Sequence, residues 1–244
     1  TLPTRIGNNW ELGGVYAWMA RRIDTHLIGF LILVAVWGLI GHLAIAGKPA
    51  AELEEIGRIR IYSTGIVSLW LLFAYVAAGL RGRELSVRTL IDPLPLSARR
   101  VGGYALMAVG MFVAWGLCSG VLGLFLRPDK AQIQSLLVFF PRGPVEMTLW
   151  AAMSLSAGFC EEFVYRGYLQ TRIQNVSGSI GVAVVVQALA YGAAHAALPW
   201  KIMVTVTFLG IFFGSVAAWR KTLVPGMLMH AAFDLLAVFA RKQV

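Results

Sequence analysis

Charge is scarce in this sequence. Asp, Glu, Lys and Arg make up 14% of its 244 residues, with 12 acids among them, while 58% of residues are hydrophobic. Water-soluble domains carry about 25% charged and roughly 45 to 50% apolar residues, so this composition excludes one and points to an integral membrane protein. Cysteine is nearly absent. Cys118 and Cys160 both lie in apolar runs without metal-ligand spacing, which leaves no disulfide framework. The alternating ten-residue segments of an outer-membrane barrel are missing. So is any internal repeat, which counts against an inverted-repeat transporter.

Long apolar runs take their place. An α-helix needs about 20 residues to cross roughly 30 Å of hydrocarbon. Seven runs approach that length: Leu27 to Ala46, Ile61 to Leu80, Val101 to Leu126, Pro144 to Cys160 and somewhat beyond, Ile180 to Leu198, Ile202 to Trp219 and Leu223 to Ala240. The expected fold is all-α, a polytopic bundle of about seven spans. Residues 1–143 form an N-terminal membrane region with an interfacial segment and three spans, and 144–244 form a second region of about four spans. The first run is too long for a removable signal peptide and is expected to remain.

The net charge of +9 comes from basic residues at helix ends and in loops, including Arg81, Arg83, Arg88, Arg99 and Arg100. Headgroup anchoring accounts for that placement, and no nucleic-acid partner is implied. With the N-terminus cytoplasmic, the cytoplasmic segments hold twelve of the 21 Lys and Arg residues, a slight bias for that orientation. Trp10, Tyr16 and Trp18 precede Arg21 and Arg22, as in a segment lying along the interface. Residues 84–100 read as a surface connection, and 129–143 as an interfacial or re-entrant piece. Gly116 with Gly120, and Gly210 with Gly214, have the spacing of close helix packing.

Against this background the stretch FCEEFVYRGYLQ at 159–170 stands out. Intramembrane Asp, Lys or Arg costs about 2.5 to 3.5 kcal/mol each on insertion scales, so a cluster needs a compensating role. In and beside the last four runs the ionisable groups singled out are Glu161, Glu162, Arg166, His195, His230 and Asp234. Glu162 and Arg166 stand four apart, in the order that favours an ion pair, and Glu161 is rotated about 100° away without a local partner. His230 and Asp234 are also four apart, so the carboxyl can orient the imidazole. The turn signal NVSGS at 175–179 makes a hairpin that sets Glu161 and His195 at nearly one depth. Lone His26 and His42 read as interface residues, and Tyr165, Tyr168 and Tyr191 as packing. One conflict remains: a full span over 198–222 would hold His195 and His230 roughly 30 Å apart. A site shared by both needs a short, tilted or broken helix, which Pro199, Pro225 and Gly226 permit.

These residues resemble the CAAX prenyl endopeptidase family, also called the CPBP or Abi family of glutamate intramembrane proteases. Its pattern is EExxxR, FxxxH and HxxxN. EExxxR stands whole at Glu161, Glu162 and Arg166, and is followed by Gly167. The second motif is YGAAH, with Tyr191 for phenylalanine and His195 intact, and the third is HAAFD, with His230 intact and Asp234 for asparagine. The resemblance covers about 144–240. It implies a cavity built from the last four spans, with Glu161 as general base, His195 holding the same water, and Glu162 with Arg166 as a bracing pair. His230 with residue 234 would stabilise the oxyanion. An ionised Asp234 repels an oxyanion, so it is either protonated or it orients His230 as the donor; the second is favoured.

The implied substrate is a membrane-associated or lipid-modified peptide or protein in the bilayer, in a bacterial inner membrane, with no cofactor. A zinc ion on Glu161, His195, His230 and Asp234 is the lesser alternative, since no HExxH helix is present. A non-catalytic immunity or regulatory protein binding a membrane partner is the second reading, and a proton-coupled transporter the third.

Overall fold

The computed structural model describes residues 24–46, 48, 50–80, 86–95 and 97–240. The expected interfacial residues Trp10, Tyr16, Trp18, Arg21 and Arg22, and the basic Arg81 and Arg83, lie outside them.

Among the described residues the regular structure is helical throughout. In chain order the helices are α1 (Thr25–Ile45), α2 (Ala50–Ile56), α3 (Arg58–Leu80), α4 (Val87–Ile91), α5 (Ala98–Leu126), α6 (Lys130–Leu137) and α7 (Pro144–Glu161). A π-helical segment, Glu162–Leu169, continues α7 directly into α8 (Gln170–Ser177). The chain closes with α9 (Ile180–Ala194), α10 (Trp200–Arg220) and α11 (Val224–Ala240). This is a membrane-helix bundle.

Four helices, α1, α3, α5 and α10, are long and apolar enough to cross a membrane, and α9 and α11 are shorter apolar helices. The fourth run continues beyond Cys160, as expected, and stays helical through Ser177. Exposed Leu43, Leu71, Leu117, Leu124 and Phe125 make α1, α3 and α5 apolar on the outside, the surface that acyl chains cover.

Close approaches fix the inner helices. Added methyl carbons at Gly158 would lie 2.8 Å from the Ala231 amide and the Met227 carbonyl, so α7 and α11 meet backbone to backbone. Gly210 lies against Ala188, and Gly214 leaves room for two buried glutamines. Gln187 donates to the Gly210 carbonyl at 2.8 Å and Gln170 to the Gly214 carbonyl at 3.0 Å, tying α9 and α8 to α10. The expected packing at Gly116 and Gly120 is not found, since nothing stands within 4 Å of a methyl carbon at either position.

The 129–143 piece is a short capped helix followed by a turn and irregular chain. Asp129 and Gln132 form a reciprocal capping box at the start of α6. Arg58 holds Glu146 at 2.9 Å and the Val138 carbonyl at 3.1 Å, and the Tyr62 hydroxyl reaches the Phe139 carbonyl at 2.5 Å.

Candidate active site

The EExxxR stretch straddles the change from α-helix to π-helix. In a π-helix the amide bonds to the carbonyl five residues back, as Gln170 does to Tyr165. The turn is therefore wider, and such segments occur frequently at functional sites. Within it the Arg166 guanidinium stands 3.1 Å from Glu162 Oε1, both side chains fully enclosed. The ion pair expected from spacing exists, although the helix carrying it is not the α-helix that the spacing assumed.

Glu162 does more than balance Arg166. The His230 Nδ1–H donates to Glu162 Oε1 at 2.9 Å, and Gly226 lets the backbone of α11 approach Glu162 Oε2. Asp234 was expected to fix the tautomer of His230. Instead Glu162 takes Nδ1, and Asp234 Oδ2 stands 3.6 Å from the opposite nitrogen, Nε2. Glu161 Oε2 lies 3.8 Å from that same Nε2 and has no hydrogen-bond partner among the described residues. Three carboxylates thus face one imidazole.

The turn expected at 175–179 joins α8 to α9. Gly178 turns the chain in the left-handed region (φ 71°), and the Ser179 hydroxyl caps α9 at the Val182 amide. Tyr191 then lies against Tyr165, ring centres 5.1 Å apart, and under the Arg166 guanidinium at 4.3 Å. One turn further, at the C-cap of α9, stands His195. It makes no hydrogen bond to either carboxylate among the described residues. Its Nδ1–H donates to the Tyr191 carbonyl at 2.8 Å, and its ring meets the Tyr191 ring at 4.7 Å.

The conflict over the two histidines resolves through Tyr191. That ring is 6.3 Å from His230 and 4.7 Å from His195, so the imidazole centres are at most about 11 Å apart. α10 is a full-length helix, yet α9 runs back along it. Tyr191 packs on Gly210, and His230 stacks on Phe213 at 5.5 Å. Three residues of helix rise, about 4.5 Å, separate those two levels.

The tyrosines, expected as packing or interfacial residues, do pack, and one of them, Tyr191, packs on the candidate site itself. Tyr191 is buried against both histidines and Arg166. The Tyr168 hydroxyl meets His26 Nδ1 at 2.7 Å, which docks α1 on the π-helical segment. His42 bonds the Ala196 carbonyl at 2.9 Å and so braces the turn after His195. A tyrosine one turn before a histidine, level with a buried arginine across a hairpin, was the signal available for Tyr191.

Among the described residues no group of three His, Cys, Asp or Glu side chains is placed to hold a metal ion.

Residues 143–236 match the family of type II CAAX prenyl endopeptidases, Rce1-like. All six singled-out residues fall inside that stretch. No curated protein and no solved structure matches the chain.

Proposed function

We propose that this chain, which carries an Rce1-like type II CAAX prenyl endopeptidase domain at 143–236, is an intramembrane endopeptidase acting on a membrane-associated, lipid-modified peptide. The observation that carries the reading is Glu161 Oε2, enclosed, unbonded to other described residues and 3.8 Å from His230 Nε2. That gap is too long for a direct hydrogen bond, but one water can lie within about 2.6 to 3.2 Å of both atoms. In this reading Glu161 accepts the water's proton as the oxygen attacks the peptide carbonyl, and then returns it to the leaving amine. Atoms balance without a metal.

His230 is the imidazole that shares the water, because Glu162 fixes its orientation from behind and Arg166 holds Glu162 in turn. His195, which the resemblance pairs with Glu161, is a positioning residue here: it grips the Tyr191 carbonyl and packs on that ring. Replacing His230 by alanine therefore abolishes cleavage, whereas His195→Ala leaves a measurable rate. Asp234, a third exposed, faces the open side of His230 Nε2 and restrains the imidazole where substrate enters.

The test uses detergent-purified protein with a peptide bearing a farnesylated cysteine three residues from its end, and the same peptide without the lipid. Mass spectrometry should show the tripeptide released from the lipidated form. Release from neither peptide contradicts the reading and favours a binding role for the same cavity.

A further inference from the structure

The site as described is rich in acceptors and poor in donors. Hydrolysis places negative charge on the former carbonyl oxygen, and donors aimed at that oxygen are often the largest catalytic contribution. Yet the Nδ1–H of His230 is spent on Glu162, and Arg166, ion-paired with the same carboxylate at 3.1 Å but without a hydrogen bond among the described residues, is wholly enclosed, with the Tyr191 and Phe213 rings against its guanidinium. Nε2 of His230 faces Glu161 and Asp234, both within 4 Å, and they compete for any proton that it carries. Ionised Asp234 can only accept. His195 has given its Nδ1–H to a backbone carbonyl.

Beside that enclosed guanidinium stands a second donor without a hydrogen bond among the described residues, the Tyr191 hydroxyl. Tyr191 is 2% exposed, its ring is held by contacts to Tyr165, His195, His230 and Arg166, and no hydrogen bond to its hydroxyl is found among the described residues. Its ring centre is 4.7 Å from that of His195, 6.3 Å from that of His230 and 4.3 Å from the Arg166 guanidinium, which sets the residue between the two histidines of the site. Tyr165 lies on the other side of that ring, against Phe30 of the α1 core.

We propose that the Tyr191 hydroxyl donates the hydrogen bond that stabilises the oxyanion formed during peptide hydrolysis, which makes Tyr191 a catalytic residue of this site. The proposal rests on the endopeptidase reading above. The hydroxyl keeps its proton throughout and shares it only as a hydrogen bond. The ring contacts hold it in place before substrate arrives, so little reorganisation is needed when charge develops.

Tyr191→Phe removes the hydroxyl and keeps the ring. On the lipidated peptide it should lower kcat about 10²- to 10³-fold, the usual cost of one lost oxyanion donor, with KM unchanged. Binding of a peptidyl phosphonate that mimics the tetrahedral intermediate should weaken by a similar factor, while the unfolding midpoint stays put. Tyr165→Phe should change neither. Adding Asp234→Asn to Tyr191→Phe should restore part of kcat, because the amide supplies a donor. An undiminished kcat in Tyr191→Phe, or a change confined to KM, overturns the proposal while leaving the endopeptidase reading intact. A wild-type protein that cleaves no peptide overturns both.

Discussion

Replacing Glu162 tests how the buried charges hold the site together. Its carboxylate carries two loads, the Arg166 guanidinium at 3.1 Å and the His230 Nδ1–H at 2.9 Å, with Glu162 and Arg166 essentially unexposed. Glu162→Leu leaves Arg166 without its counter-charge, and breaking a buried pair from one side costs about 3 to 5 kcal/mol. Arg166→Met costs about the lower end of that range, because His230 still donates to the carboxylate. Removing both charges in Glu162→Leu/Arg166→Met leaves one orphaned Nδ1–H, worth about 1 to 3 kcal/mol. The double variant should therefore be more stable than Glu162→Leu alone. For a chain of this size about 1 kcal/mol shifts the midpoint by roughly 2 to 4 °C, so Glu162→Leu should fall by roughly 6 to 20 °C and the double variant by less. Tryptophan fluorescence melts in detergent would measure this. A double variant whose loss equals the sum of the two single losses would refute the coupling.

Other consequences are simpler to check. Gly158→Ala should destabilise the protein by about 1 to 3 kcal/mol in the same melts, because the new methyl meets α11 backbone, whereas Gly120→Ala, open on all sides, should be neutral or slightly stabilising. Asp92, between α4 and α5, should make stability acid-sensitive. Burial alone would raise its carboxyl, but hydrogen bonds from Tyr104, the Leu94 amide and Arg100, with the Arg100 charge, outweigh burial and hold it below the usual carboxylate value. A depressed carboxyl stabilises above its unfolded value of about 3.9 and loses that contribution as pH falls through the folded one. Asp92→Asn should flatten melts recorded between about pH 5 and 2. Cleavage should survive exhaustive chelation, as assayed by product mass after metal analysis; its loss and recovery with added zinc would restore the metal alternative.

The long apolar runs made the bundle legible because bilayer thickness fixes helix length, and α1, α3, α5 and α10 lie close to where those runs were read. The hairpin was legible too, since a turn signal marks it; spacing about that turn pairs Glu161 with His195 in depth, whereas the contact the structure shows across the hairpin is between Arg166 and Tyr191. What the spacing could not give was lateral placement. Nothing local announces that Glu162 and not Asp234 takes His230 Nδ1, because that bond joins the π-helical segment to α11 across 68 residues. The wide turn at 162–169 was hidden for a related reason. Its residues, among them the weak helix formers Val164 and Gly167, carry no pattern that distinguishes a π-turn from an α-turn. Gly116 and Gly210 sit in similar small-residue pairs, yet only the second meets a neighbour, so spacing shows where helices can approach and the fold decides where they do.

The most direct test of the central claim is the cleavage rate of Glu161→Gln, measured on the lipidated peptide with protein whose unfolding midpoint matches wild type. Loss of a positioned base should lower the rate by about 10²- to 10⁴-fold. A rate equal to wild type in that folded variant would show that Glu161 does not activate the water.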